Sequence, residues 1–493
     1  MITLHNTLTK TKEKLIPRHP LSSSGKVKIQ MFVCGPTVYD YIHIGNARTF
    51  VFFDVVAKYL RSQGYEVDYI QNITDIDDKI IQRAKENNRD PLEWAKEYYE
   101  KFKEDMNALE VNSPKYVPAT EHIDQVIKQV KVLIDKDFAY KIEGDGWYFD
   151  LSRFPEYGKL SGRKAQMADD AVTRIDENDK KKNKGDFCLW KLSKEGEPSW
   201  ETELGKGRPG WHIEDTAITE HYFGPQYDIH GGGQDLIFPH HEAEITQQES
   251  ASGKKPFVKY WMHVAFLVNK DQKMSKSLGN FETVNELLKK YSKETLRFYL
   301  LGGYYRQPLE FSDKILKQSQ SGVYRIAEFL KKLKNVPTSS RFRPSQSDGN
   351  KIEDPRFTIG ESGQVDTLNE IDQYVVEARD KFSNAMLNDF NTPEAFAVIF
   401  ELIRKVNPVV STSQVDTSKI IKFLNEVNEI LGIIPNEEQK IPAEVQELVE
   451  KREKLREEKN YEESDKIRAQ IQALGWDVED TVHGPLTVRL KNS

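Results

Sequence analysis

The chain has 493 residues, a formal net charge of −7, and 38% hydrophobic against 30% charged residues. It is long enough for several domains with separate cores and has the composition of a soluble globular protein. No apolar run approaches a bilayer span, Met1–Lys14 holds no signal-type stretch, and two cysteines, Cys34 and Cys188, cannot build a disulfide framework, so a membrane protein and a secreted disulfide scaffold are excluded and a cytoplasmic location is expected.

In chain order, Lys26–Cys34 (KVKIQMFVC) reads as a buried strand stopped by the Gly35-Pro36 break. Asn46–Gln63 reads as a helix with a stripe of Val51, Val55, Val56 and Tyr59, and Gly64 is placed to end it. Tyr65–Ile73 follows as a strand and Asp77–Asn87 as a helix, so the unit is βαβ with parallel strands. It lacks a GxGxxG turn, which disfavours dinucleotide binding. Residues from about 114 to 210 read as an insertion; its basic run Lys180–Lys184 reads as a solvated loop, with an RNA contact as the sharper alternative. The α/β pattern resumes at Tyr227–His230 and continues through Tyr260–Val268. Beyond Phe311 the chain is helical, with a polar linker over Asn335–Gly363 and charged helical periodicity over Asp366–Leu431 and Ala443–Leu474.

Three segments carry nucleotide chemistry. His43-Ile44-Gly45-Asn46 sits just ahead of a helix, where unpaired N–H groups and the positive end of the macrodipole suit a triphosphate. His43 can donate to a phosphate oxygen, and Gly45 leaves room for the nucleotide. Lys273-Met274-Ser275-Lys276-Ser277 offers two cations on a loop for a departing pyrophosphate. Gly231-Gly232-Gly233-Gln234-Asp235 follows a strand; the glycines permit approach of a flat ring, and Asp235 can accept from nucleotide hydroxyls or an adenine amine. Taken singly these fit a turn histidine, a solvated loop and a tight turn. In this order, the first and second segments resemble the HIGH and KMSKS signatures of class I aminoacyl-tRNA synthetases, which activate an amino acid with ATP.

Metal-ligand residue types occur at Cys34, at Asp215 after Trp211-His212-Ile213-Glu214, and in Phe238–Glu244, where His240 and Glu244 share a helix face. Spacing alone does not gather them. Over essentially its whole length, however, the chain resembles the bacterial cysteinyl-tRNA synthetase family. The matching stretches are Met31–Asp40, Asn72–Ile80, Gly185–Trp190, Gly210–Glu214, Asp228–Glu244, the lysine loop and Asp389–Ala395.

The resemblance implies an α/β fold: a Rossmann-like catalytic domain over 1–312 with the insertion at about 114–210, a helical tRNA-binding bundle over 313–431 with the linker at 335–363, and an anticodon-reading module over 432–493. It implies ATP with Mg2+, L-cysteine and tRNA(Cys) as partners of a monomer. His43, Asn46, Lys273 and Lys276 fall on catalytic positions; His43, Gly45, Asn46, Asp235 and Lys276 on ATP-binding ones; Gly35, Thr74 and Trp211 around the bound cysteine. Cys34, Asp215, His240 and Glu244 fall on the ligands of a zinc ion (Zn2+) that selects the thiol, so that no editing step is needed.

Two positions depart from the family. Asp215 stands where a cysteine is usual, which keeps the ligand's charge and gives the loaded site a formal −1; zinc is expected to be retained. Asn46 stands where some relatives have a second histidine. Trp476 is either a stacking platform for a base or a core residue. Two other functions remain at this level: a ligase that passes cysteine to a small amine, and a non-catalytic RNA-binding relative.

Overall fold

The computed structural model describes residues 1–18, 25–163, 178–269, 272–273, 281–336, 362–412, 416–435, 443–474, 476–479 and 487–490. The elements that position the site are β1 (Lys28–Val33), α1 (Ile44–Ser62), β2 (Glu66–Ile73), β3 (Lys115–Pro118), α2 (Ile213–Phe223), β4 (Tyr227–Gly233), α3 (Glu242–Ser252) and β5 (Val258–Val264). The five strands form one parallel sheet in the order β5-β4-β1-β2-β3. Met31 of β1 pairs with Ile229 on one side and Tyr69 on the other. Five of the six residues of β1 are buried, as expected of a central strand covered on both faces.

The sheet separates two apolar cores. One runs from its α1 face into the helical bundle as far as Ile434; the other lies between the opposite face, α2, α3 and the insertion. The stripe expected on α1 is in fact most of its circumference: Phe50, Phe52, Phe53 and Leu60 are buried as well. The reason is position, since α1 lies between the sheet and the bundle helix Ser418–Leu431. Gly64, with φ of +87°, takes the left-handed turn that follows the helix.

The insertion starts later than the sequence indicates. Lys115–Pro118, read as part of it, is the edge strand β3, paired with Ile70–Ile73. A four-residue strand closed by proline has too short a pattern to read, and proline is tolerated there because the edge needs no further donor. Beyond it, Ala139–Ile142, Gly146–Phe149, Cys188–Leu192 and Gly207–Pro209 form a small antiparallel sheet. In the basic run, Lys182 pairs with Asp150 at 3.0 Å.

The bundle comprises Asp313–Lys334, Ser362–Leu387, Thr392–Thr412 and Ser418–Leu431. Buried Asp389, at φ of +62°, ties it to the α/β part: it accepts from the His5 N–H (2.7 Å), the Tyr305 hydroxyl (2.8 Å) and the Tyr304 hydroxyl. Ala443–Glu457, Tyr461–Ala473 and the hairpin Trp476–Glu479 with Thr487–Leu490 follow. Trp476 is buried with Ile467, Ile471 and Val478 in that module's own core, so the core reading holds over the stacking platform.

Candidate active site and metal centre

In a doubly wound sheet, ligands bind outside the carboxyl ends of the strands where the order reverses, here between β1 and β4. Cys34 leaves β1, Thr74 leaves β2, and Asp235 lies two residues beyond β4. They border one cleft of about 280 Å³, which Gly35, His43, Gly45, Asn46 and Trp211 also line. Lys276 lies outside the described residues, and of Lys273 only the backbone is described, paired with Val268.

His43 is the N-cap of α1. Its Nδ1 accepts the Asn46 N–H at 3.2 Å, so the neutral ring carries its proton on Nε2. The first turn of α1 contains no acidic residue, which leaves the positive end of the helix unopposed by its own side chains. A Cβ on Gly45 would stand 2.8 Å from His43 Nδ1; the glycine makes room for the capping ring and also borders the cleft. In the glycine run, two of the three glycines serve packing instead. A Cβ on Gly231 would meet the Phe53 ring at 2.2 Å and one on Gly232 would meet His241 at 2.9 Å. Of the three, only Gly233 borders the cleft.

The four ligand types that spacing could not gather are together. Cys34 Sγ is 3.2 Å from Asp215 Oδ2 and 3.7 Å from Glu244 Oε1. His240 Nε2 is 3.1 Å from Asp215 Oδ2 and 2.9 Å from Glu244 Oε1. A tetrahedral zinc with bonds of about 2.0–2.3 Å has ligand–ligand edges of roughly 3.3–3.6 Å, so these separations fit within a few tenths of an ångström. His240 sits in a wide turn, Ile237–His241, that runs straight into α3, which keeps it one turn from Glu244.

All four are buried, and the protonation of Cys34, His240 and Glu244 reflects burial and crowded negative charge. Burial, then Glu244 and Asp215, push the Cys34 thiol well up. Burial pulls His240 down, but the Glu244 and Asp215 carboxylates outweigh it and hold the ring protonated, at about 10. Burial also raises Glu244. A set of donors that draws a proton onto its histidine is one that a dication fits. Trp211, 39% exposed, stacks on His240 with ring centroids 4.5 Å apart and forms a wall between the centre and solvent.

Sequence reasoning missed the residues that hold these groups. Asn72 is the chief one: its Oδ1 accepts the Gly35 N–H at 2.6 Å and its Nδ2 donates to Asp215 Oδ1 at 2.6 Å. A Cβ on Gly35 would lie 1.7 Å from the Asn72 carbonyl oxygen, so the approach requires glycine. Thr74 donates to Glu214, a buried carboxyl beside Asp215 whose protonation burial favours. Glu242 accepts the N–H groups of Gly158 (3.0 Å), Leu160 (2.6 Å) and Ser161 (2.6 Å), and so pins the insertion to α3. Polar residues inside otherwise apolar strand ends were the available signal.

Comparison with known proteins agrees with this geometry. Residues 20–321 match the family described as tRNA synthetases class I (C) catalytic domain, residues 381–435 a DALR domain, and residues 438–489 a cysteinyl-tRNA ligase anticodon binding domain. The chain is 42% identical to the cysteine–tRNA ligase of Carboxydothermus hydrogenoformans, with 98% of each chain covered. It is likewise 42% identical to that of Clostridioides difficile, again with 98% of each covered. A methionyl-tRNA synthetase of Mycobacterium tuberculosis in complex with methionyl-adenylate shares the fold, with a TM-score of 0.57 at 13% identity over 82% of this chain and 89% of that one.

Proposed function

The chain belongs to the cysteine–tRNA ligase family, and on that premise we propose how its own residues carry out the family's reaction. It is a class I aminoacyl-tRNA synthetase that joins L-cysteine to tRNA(Cys) at the expense of ATP. The cysteine carboxylate attacks the α-phosphorus of Mg2+-bound ATP and pyrophosphate departs. A hydroxyl of the terminal tRNA ribose, the 2′-hydroxyl in this class, then attacks the activated carbonyl and AMP leaves. Both steps are governed by placement and charge stabilisation rather than by an enzyme nucleophile.

At the nucleotide end, the His43 Nε2–H donates to a phosphate oxygen at the start of α1, and Asn46 adds a side-chain donor from the same turn. Gly45 leaves room for the capping ring and for the nucleotide in the cleft it borders. Asp235 accepts from a nucleotide hydroxyl or amine. Lys273 and Lys276 neutralise the leaving pyrophosphate. At the amino-acid end, Gly35, Thr74 and Trp211 wall the cysteine, and Cys34, Asp215, His240 and Glu244 hold zinc. When bound, zinc supplies Lewis acidity and a preference for sulfur over oxygen, so serine is rejected by bond type. Asp215 suits the task because Asn72 engages its Oδ1 and leaves Oδ2 toward Cys34 and His240.

The bundle over 313–431 holds the tRNA and the module over 432–493 reads its anticodon. The match of residues 438–489 to an anticodon-binding family favours tRNA over a small amine as acceptor. Among the described residues no helix is long and apolar enough to cross a membrane, and we read the protein as a cytoplasmic monomer. Sedimentation above the 57.1 kDa of one chain overturns the monomer.

The observation that carries the zinc reading is the convergence of Cys34, Asp215, His240 and Glu244 on the cleft's inner side. The test is ATP–pyrophosphate exchange with cysteine and with serine, before and after chelation, alongside metal analysis. Cysteine-dependent exchange that collapses with the chelator and returns with zinc is expected. Exchange with serine at the cysteine rate, or a cysteine preference that survives metal removal, overturns it.

A further inference from the structure

We propose that Cys34 and Glu244 are shared by two overlapping cation positions, and that His230 and His241 complete the second one. The set Cys34, His230, His241 and Glu244 takes one Zn2+ in exchange with the Asp215–His240 position, not in addition to it. This inference rests on the reading of a resident zinc given above.

The ligand atoms of the second set are buried and lie within 4.8 Å of one another. Cys34 Sγ is 3.2 Å from His230 Nε2 and 3.1 Å from His241 Nε2. His230 Nε2 is 3.4 Å from Glu244 Oε2. These are again close to the roughly 3.3–3.6 Å edges of a zinc tetrahedron.

Two further observations point to a cation. Glu244 Oε2 is wholly buried yet accepts no hydrogen bond among the described residues, and an orphan carboxylate oxygen beside two imidazoles is what a bound ion would satisfy. In addition, each imidazole is engaged at its far nitrogen. His230 Nδ1 is 2.6 Å from the Tyr227 hydroxyl, and His241 Nδ1 is 2.8 Å from His263 Nε2, whose own Nδ1 is 2.8 Å from Thr7 Oγ1. With a proton on each Nδ1 the relay ends at the threonine oxygen, and His241 Nε2 turns its lone pair toward Cys34. Outer partners of this kind fix the ring and tautomer of a metal-binding histidine.

Exclusivity follows from the shared groups. Both sets use the single thiolate of Cys34. The thiolate with Asp215 and Glu244 carries three negative charges, enough to offset one buried dication and not two. The ion therefore has a nitrogen- and sulfur-rich position to occupy when the Asp215 side is disengaged.

The test uses the full chain with Asp215→Asn, which keeps shape and removes the anionic ligand. We expect one zinc per chain, an affinity loss of no more than about tenfold, the lower end of what disturbing even an outer partner does, and a zinc-edge X-ray absorption spectrum requiring two imidazoles and one sulfur. Adding His241→Gln should then strip the metal. Thermal melting checks folding; should Asp215→Asn fail to fold, His240→Gln takes its place with the same expected spectrum. Loss of zinc from the folded single variant while the parent protein keeps it overturns the inference, as does a spectrum with one imidazole, or unchanged affinity on adding His241→Gln. A parent protein without zinc after zinc-supplemented growth overturns the underlying zinc reading and this inference with it.

Discussion

The double duty of His43 can be taken apart by substitution. Its Nδ1 accepts the Asn46 N–H at 3.2 Å and so caps α1, while the opposite nitrogen is the donor assigned to a phosphate. His43→Ala removes both. Losing the cap costs about 0.5–2 kcal/mol of stability, and losing a donor aimed at transition-state charge costs about 10²–10³ in rate. His43→Ser restores a good capping oxygen but is too short to reach where Nε2 reaches. Urea unfolding and cysteine-dependent ATP–pyrophosphate exchange should therefore separate the two variants. Both should exchange about 10²–10³ more slowly than the parent, but only His43→Ala should be less stable. If His43→Ser exchanges within about tenfold of the parent, a loss below the range for a transition-state donor, the ring acts through the helix alone and the phosphate contact is wrong.

Asn72→Ala leaves the Gly35 N–H and Asp215 Oδ1 without the partners they have at 2.6 Å; a loss of about 2–4 kcal/mol is expected from one neutral and one charge-assisted hydrogen bond, with about 10–100-fold weaker zinc binding by titration. Arg297 is fully buried, 3.1 Å from Asp54 Oδ2, and donates to Leu431 O at 2.7 Å and Leu109 O at 2.9 Å. Arg297→Ala leaves Asp54 with Lys58, 2.8 Å from Oδ2, as its remaining cation and removes the donor from the Leu431 and Leu109 carbonyls; denaturant unfolding should register a loss of about 1.5–3 kcal/mol. Burial, then nearby Glu104, raises the Asp105 carboxyl to about 7, against about 3.9 in an unfolded chain. The folded state therefore binds the extra proton between these values, and stability falls as pH rises from about 4 to about 8. Asp105→Asn should flatten that part of the pH–stability curve, and an unchanged slope would show that the carboxyl titrates normally.

The α/β half of the molecule was legible because its strands are long and buried on both faces. Lys26–Cys34 and Tyr65–Ile73 were read within two residues of β1 and β2, and the helix read as Asp77–Asn87 is Asp78–Glu86, with Asp77 as its N-cap. What escaped was set by contacts distant in sequence. β3 is only four residues long, and its place in the sheet is decided by pairing with β2 rather than by any period of its own. Gly231 and Gly232 looked like a nucleotide turn because glycine is permissive in either role; only the Phe53 and His241 rings across from them show which applies. Ala443–Leu474 carries one helical periodicity but divides near Lys459, at φ of +59°, where Asn460 caps the next helix. Among the site residues, the positions of Cys34, Asp215, His240 and Glu244 came from family resemblance, because no local rule brings together side chains some 181 and 210 positions apart. Asn72 opens one of the matching stretches, but nothing in it marked a role at the site, which shows in its hydrogen bonds to Gly35, Asp215 and Thr74.

The cleft is electrically divided, and the division assigns its two substrates. At one end the N-terminus of α1 presents a positive dipole end with no acid in its first turn. At the other, the Glu244 and Asp215 carboxylates are buried together beside the Cys34 thiol and hold a proton on His240. A polyphosphate placed at the second end would meet buried like charge, an arrangement that costs far more inside a protein than in water. It is favoured only at α1. Even with a dication bound, the second end keeps a formal −1, so the preference survives loading of the metal. Replacing the usual thiolate by Asp215 leaves this sum unchanged, which is why the substitution can alter the softness of the centre without altering which end takes the nucleotide.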